Sequence, residues 1–166
     1  MSFSLVKSSS DDGRDVYEMM QEIPASENGF ENSAYGLNFD DFKEKLKDWE
    51  ADAVQVGVVD GWKVPQTVYW LYVDDRVVGC GKIRHILTDK LKAQGGNVGY
   101  AIRPSERGKG YGNKLLGLLV EECRNLGISE VLLTVEESNE ASKKVGLANG
   151  GKIEKVADGH YYIWIK

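Results

Sequence analysis

The chain has 166 residues, 42% hydrophobic and 28% charged, with 21 basic against 26 acidic side chains for a formal charge of −5. That length and balance fit one folded domain with its own core, taken as residues 1–166, and exclude a disordered, collagenous or strongly basic nucleic-acid-binding chain. No apolar run nears the roughly 20 residues that cross a bilayer, and two cysteines, Cys80 and Cys123, exclude a disulfide framework and a four-cysteine zinc site.

In chain order, residues 3–7 alternate weakly and read as a short first strand. Asp11 or Asp12 is placed to cap a helix reaching Ile23, with Val16, Met19, Met20 and Ile23 on one face and Pro24 behind it. Residues 25–38 read as a polar loop holding Phe30 and Tyr35. A second helix starts at Asp40, with Phe39, Phe42, Leu46 and Trp49 at helical spacing. Residues 67–73 and 76–86 are β-rich runs joined at Asp74-Asp75, the pattern of a hairpin. Residues 96–103 read as another strand.

The spacing then predicts a helix over 110–126, with Leu115, Leu116, Leu119, Cys123 and Leu126 as its stripe and Gly127 closing it. Residues 131–135 are continuously apolar, as in a strand covered on both faces. A short helix over 139–149 stops at Gly150-Gly151, and a last hairpin turns at Asp158-Gly159. This order describes a mixed sheet with helices packed on it. Both cysteines lie in apolar runs, and residues 1–5 lack the basic and apolar regions of a signal peptide. A cytoplasmic protein with reduced, buried thiols is expected.

The segment that carries chemistry is Arg107-Gly108-Lys109-Gly110-Tyr111-Gly112-Asn113, set between a strand ended by Pro104 and a leucine-rich helix. Alternate glycines let successive backbone N–H groups converge, and a helix N-terminus adds about half a positive charge. That is a site for a phosphate or pyrophosphate. The dinucleotide fingerprint fails because Leu115 stands where its third glycine belongs. The one Walker-like run, Gly146 to Lys152, has Ile153 in place of the Ser/Thr that holds magnesium. ATP and NAD are disfavoured, which leaves an acyl-coenzyme A.

Over its last hundred residues or so the chain resembles the GNAT superfamily of N-acetyltransferases. The likeness runs through the strand Asn97-Val98-Gly99-Tyr100-Ala101-Ile102-Arg103, the glycine loop, the helix after it, the strand at 131–135, and Asn139-Glu140-Ala141-Ser142. It implies a GNAT-like α/β fold: a central, mostly antiparallel twisted sheet with one splayed parallel pair, and helices on both faces. It implies acetyl-CoA as co-substrate, with no metal. The backbone of Tyr100, Ala101 and Ile102 would hold the pantetheine arm. Arg107, Gly108, Lys109, Gly110, Tyr111, Gly112 and Asn113 would hold the pyrophosphate, and Asn139 and Ser142 the arm from the next helix. Read from the residues alone, Asn139 is a helix N-cap.

Two expected groups are missing. Many family members have a tyrosine seven residues after the position of Asn139, where this chain has Gly146. Many have a glutamate base early in the strand before the loop, where this chain has Gly96-Asn97. His85, at the end of the preceding strand, has a suitable intrinsic pKa and is the candidate base. Tyr100, Tyr161 and Tyr162 are candidate proton donors.

The expected activity is acetyl transfer to a primary amine by direct attack, in a monomer or homodimer with no membrane or nucleic-acid partner. The alternative is a catalytically silent acyl-CoA-binding or sensor module. Charge adds an expectation about the acceptor. Residues 1–60 carry 5 basic and 14 acidic groups, and residues 61–166 carry 16 and 12. Glu18, Glu22, Glu27, Glu31, Asp40 and Asp41 beside Phe30 and Tyr35 would favour a cationic small-molecule or peptide amine.

Overall fold

The computed structural model describes residues 1–166. Strand β1 (Phe3–Lys7) pairs antiparallel with β4 (Gln66–Val73), β4 with β5 (Arg76–Arg84), and β5 with β6 (Val98–Ile102). A second sheet has the order β7 (Val131–Glu136), β9 (His160–Ile165), β8 (Lys152–Ala157), also antiparallel. Asn97 joins the two sheets. Its N–H donates to the Leu132 carbonyl at 2.9 Å, and its side-chain oxygen accepts the Leu132 N–H at 2.9 Å. Strands β6 and β7 both begin at this junction, and no ladder links them beyond it. They splay, as the resemblance implied.

The helices bury their apolar stripes on opposite faces. Helices α1 (Arg14–Glu22) and α2 (Phe39–Ala53) set Val16, Met19, Met20, Phe42, Leu46 and Trp49 against Val68, Trp70 and Cys80. Helix α4 (Tyr111–Asn125) sets Leu115, Leu116, Leu119 and Cys123 against Tyr69, Leu71 and Ile83 on the other face, a cluster that continues into Leu133 and Ile163. Strand β4 is therefore apolar at both parities, with Val68 and Trp70 facing one way and Tyr69 and Leu71 the other. Each fully buried side chain of this kind stabilises the fold by about 1.5–3 kcal/mol. No helix is long and apolar enough to cross a membrane.

Helix α5 (Glu140–Ala148) closes the far side of the splay, and Asn149 ties it to α4 by donating to the Asn113 side-chain oxygen at 2.9 Å. Several boundaries differ from those read in the sequence. Helix α1 starts at Arg14 behind Gly13, without a side-chain cap. Asp12 is spent elsewhere: its Oδ2 accepts from Ser9 N–H and from Trp70 Nε1, each at 2.7 Å. Within residues 25–38 lies a small hairpin, β2 (Ser26–Glu27) with β3 (Phe30–Glu31), turned by Asn28 and Gly29 at φ of 50° and 84°. A short helix α3 (Asp89–Ala93), capped by Thr88, precedes the turn into β6.

Candidate active site

The splay between β6 and β7 opens into a cleft of about 1020 Å³ that runs from the glycine loop to the region between β5 and α3. Antiparallel pairing points the Asn97 carbonyl and the Arg103 N–H toward β5, through the bonds Arg84 N–H to Asn97 O and Arg103 N–H to Val78 O. By the alternation of a strand, the N–H and C=O groups of Val98, Tyr100 and Ile102 face the gap. An extended chain can take up hydrogen bonds along that edge. Across the gap, Tyr100 Oη and Ser142 Oγ on α5 lie 2.8 Å apart. Burial raises the Tyr100 pKa and the Ser142 bond partly offsets it, so the phenol stays protonated at neutral pH.

At one end of the cleft the chain leaves β6 through Pro104 and a single 3-10 turn, then enters α4. Gly108 and Gly110 both have φ of 80°, a conformation that L side chains resist, while Gly112 is already helical. The N–H groups of residues 108–113 donate to no protein acceptor. They are the free amides of a helix start, joined by the partial positive charge of α4. The loop is held from outside. Arg107 Nε donates to the Ile102 carbonyl at 2.9 Å and its Nη2 to Glu27 at 2.5 Å. Arg103 Nη2 donates to Glu22 at 3.2 Å, and the Ser105 N–H donates to the other Glu22 oxygen at 2.7 Å. Burial opposes ionisation of Glu22, but the bonds from Ser105 and Arg103 outweigh it and bring its pKa down to about 2.

The other end of the cleft lies against the face of the sheet that carries α1 and α2. Gln66, Lys82, Arg84 and Gly99 line it, with Phe30 and Glu31 of the small hairpin on one side. Trp62, Lys63 and Val64 before β4, and Leu91 and Gln94 from α3 onward, line the rest.

Residues 30–147 match the model of the acetyltransferase (GNAT) family. The chain belongs to that family. A search of curated proteins finds no match to the sequence. Solved structures share the fold at low identity. AAC(6')-Ib, in complex with ribostamycin and coenzyme A, is 18% identical with a TM-score of 0.69, covering 100% of this chain and 94% of its own. The ribosomal L7/L12 alpha-N-protein acetyltransferase RimL, in complex with coenzyme A, is 14% identical with a TM-score of 0.68, covering 99% and 91%. The Campylobacter jejuni N-acetyltransferase PseH with acetyl coenzyme A is 14% identical with a TM-score of 0.65, covering 99% of both chains.

The protein is thus a GNAT acetyltransferase, and its cleft can be read in those terms. Of the residues expected to meet the co-substrate, the cleft is lined by Tyr100, Ala101, Ile102, Arg107, Gly108, Gly110, Tyr111, Gly112, Asn139 and Ser142. Lys109 and Asn113 do not line it. Lys109 pairs with Glu106 at 2.7 Å, and the Asn113 side chain is bound by Asn149. Asn139 is the N-cap of α5, its oxygen accepting the Ser142 N–H at 3.2 Å, and it also faces the cleft.

The two glycines that stand where many GNAT enzymes have catalytic groups are fixed by packing. A Cβ on Gly96, at φ of 66°, would lie 2.4 Å from the Leu132 carbonyl oxygen, so the sheet junction itself excludes a glutamate there. Gly146 is the buried residue of α5, where a Cβ would meet Leu133 at 3.3 Å and Ile163 at 3.4 Å. His85 lies outside the cleft lining, with Nε2 2.8 Å from Thr67 Oγ1. Burial and the charge of Lys7 lower its pKa. Tyr162 is buried with its hydroxyl donated to Ala93 O at 2.6 Å, and Tyr161 accepts from Lys143 at 3.5 Å. Tyr100 alone of the three tyrosines lines the cleft.

The acidic residues expected around the acceptor are mostly engaged or remote from the cleft. Glu22 and Glu27 pair with Arg103 and Arg107, so part of the charge split along the chain is spent inside the molecule. Asp40 and Asp41 sit in the first turn of α2, and neither they nor Glu18 line the cleft. Sequence reading missed Lys82 and Arg84. Their alternate spacing in a half-apolar strand was the available signal.

Proposed function

We propose that the protein transfers the acetyl group of acetyl-CoA directly to a primary amine, residues 1–166 acting as one cytoplasmic catalytic domain with a small-molecule or peptide acceptor. The observation that carries this is the gap between β6 and β7, which ends at the free amides of residues 108–113. The pyrophosphate would lie on those amides and the pantetheine along the free edge of β6. The thioester would then sit near Tyr100, whose N–H faces the gap. AAC(6')-Ib solved with ribostamycin supports a small-molecule amine as the kind of acceptor such a cleft takes.

In the reaction the amine nitrogen attacks the thioester carbonyl carbon, and backbone N–H groups on the β6 edge take the negative charge that develops on oxygen. Collapse breaks the carbon–sulfur bond. The Tyr100 hydroxyl gives its proton to the departing thiolate, and the proton lost by the attacking nitrogen passes through water in the cleft to restore the phenol. A cysteine acyl-enzyme has no support. Burial pushes both Cys80 and Cys123 up to about 12, and neither lines the cleft.

The test is release of free coenzyme A thiol from acetyl-CoA across an amine panel, with acetyl-CoA binding measured beside it. Binding with turnover on at least one amine supports the reading. Binding without turnover on any would make the protein an acyl-CoA sensor.

A further inference from the structure

Two cations stand in the acceptor end of the cleft without a carboxylate partner. Lys82 and Arg84 share one face of β5, and both line the cleft. Lys82 is opposite Gly99 of β6, and Arg84 is opposite Gln66 of β4. Lys82 Nζ donates to the main-chain oxygen of Glu31 at 2.7 Å and lies 4.8 Å from the centre of the Phe30 ring. Arg84 gives Nη1 to the carbonyls of Gly95 and Gly96 at 3.1 and 3.2 Å, which leaves Nε and Nη2 without a protein acceptor. Neither residue enters any of the eight ion pairs of the protein.

Of the nearby acids, Asp52 pairs with Lys63 at 3.7 Å and Glu27 holds Arg107, while Glu31 accepts from Ser26 Oγ at 2.9 Å and touches Lys82 through its main-chain oxygen, not its carboxylate. Charges drawn out of water are ordinarily paired, and an unpaired one is costly. Two neighbouring half-buried cations in the wall of a substrate cleft therefore match a negative group that the substrate brings. The free edge of Arg84 is a two-donor fork of the shape that carboxylates and phosphates fit.

Resting on the acetyl-transfer reading above, we infer that the acceptor is an amine carrying its own anionic group, a carboxylate or a phosphate, which Lys82 and Arg84 hold beside the acetyl group. This is the opposite charge preference from the one that the acidic N-terminal half of the sequence led us to expect. The arrangement also serves the chemistry. Cations close to the amine favour its neutral, nucleophilic form, a help in a cleft whose base position is glycine.

The experiment uses the full chain and matched acceptors: amino acids against their C-terminal amides, O-phosphoethanolamine against ethanolamine, and spermidine as the polycation. The anionic member of at least one pair is expected to exceed its neutral counterpart in kcat/KM by about tenfold or more, the worth of one hydrogen bond to a charged group. Which pair shows it separates carboxylate from phosphate. Lys82→Gln and Arg84→Lys should each raise KM for that acceptor with less change in kcat, leaving the Kd for acetyl-CoA as in the wild type. Read without turnover, the same anionic amine should raise the melting temperature more than its neutral partner does, and Lys82→Gln should remove the difference. Equal or better turnover of spermidine or the neutral amines, with the ratio unmoved by Lys82→Gln, would overturn the inference while leaving acetyl transfer intact. Loss of acetyl-CoA binding in the wild-type protein would instead overturn the reading on which it rests.

Discussion

Tyr100 and Ser142, 42 residues apart in the chain, meet at 2.8 Å across the gap between β6 and α5. This contact places a protonated phenol in the wall of the cleft, where the proposed reading runs the pantetheine arm. Replacing Tyr100 by Phe should lower kcat by about 100-fold, the low end of what a positioned acid contributes. The Kd for acetyl-CoA should change little, because the β6 backbone is kept. Ser142→Ala should show a smaller loss of the same kind. Steady-state thiol release with calorimetry on each variant checks this, and an unchanged kcat in Tyr100→Phe removes the phenol from the mechanism.

Restoring a glutamate at position 96 should not restore a base. The residue sits at φ of 66° with the Leu132 carbonyl oxygen 2.4 Å from any Cβ. Gly96→Glu is expected to cost about 2–4 kcal/mol in stability, a sum of backbone strain and steric displacement. Chemical denaturation measures it. A variant as stable as wild type and faster in turnover would show that the junction tolerates the side chain.

Glu22 gives a pH signature. Its pKa is about 2 in the folded protein against an ordinary 4.5, so between those values the unfolded chain takes up the proton first. The stability from its bonds to Arg103 and Ser105 is therefore complete above pH 4.5 and fades as pH falls through about 2. The gap in denaturation midpoint between wild type and Glu22→Gln should be widest near neutrality and close on acidification. A gap that grows as pH falls would contradict this role of the Glu22 contacts with Arg103 and Ser105.

His85→Gln should leave the pH profile of kcat in place. The ring is bonded to Thr67 and lies outside the cleft lining. Any fall in rate should stay well short of the roughly 100-fold loss that removal of a general base brings. Disappearance of a titrating limb from the profile would return His85 to the mechanism.

The fold was legible where periodicity was strong and covered by one partner. Leu115, Leu116, Leu119 and Cys123 of the stripe, and Val131, Leu132, Leu133 and Val135 of the apolar run, are buried as read, because helix and strand each had one face or two to hide. Leu126, read into the same stripe, is instead the C-cap of α4 and lies exposed. Asp12 misled because a carboxylate that can cap a helix can equally bind Trp70 Nε1, a contact 58 residues distant and invisible to local pattern. The Asn28-Gly29 turn was a readable signal within residues 25–38 that the polar composition concealed. In the site, the glycine loop announced itself through backbone chemistry. Lys82 and Arg84 did not, since a lysine in a strand is informative only once its partners, or their lack, are known. The charge split was real, but Glu22–Arg103 and Glu27–Arg107 spend it within the molecule.

The most direct test of the account is calorimetric titration of acetyl-CoA into wild type and Gly112→Val. Gly112 lines the cleft, and a Cβ there would find ordinary contacts at 3.9 Å from Ile102 and Tyr100. The variant should therefore fold, while its branched side chain fills space between the loop amides and the gap. Wild type should bind with a micromolar Kd that weakens as salt rises, and the folded variant should bind at least about tenfold more weakly. Equal affinity in a folded Gly112→Val protein, or no binding by wild type, would contradict the placement of acetyl-CoA between β6 and β7.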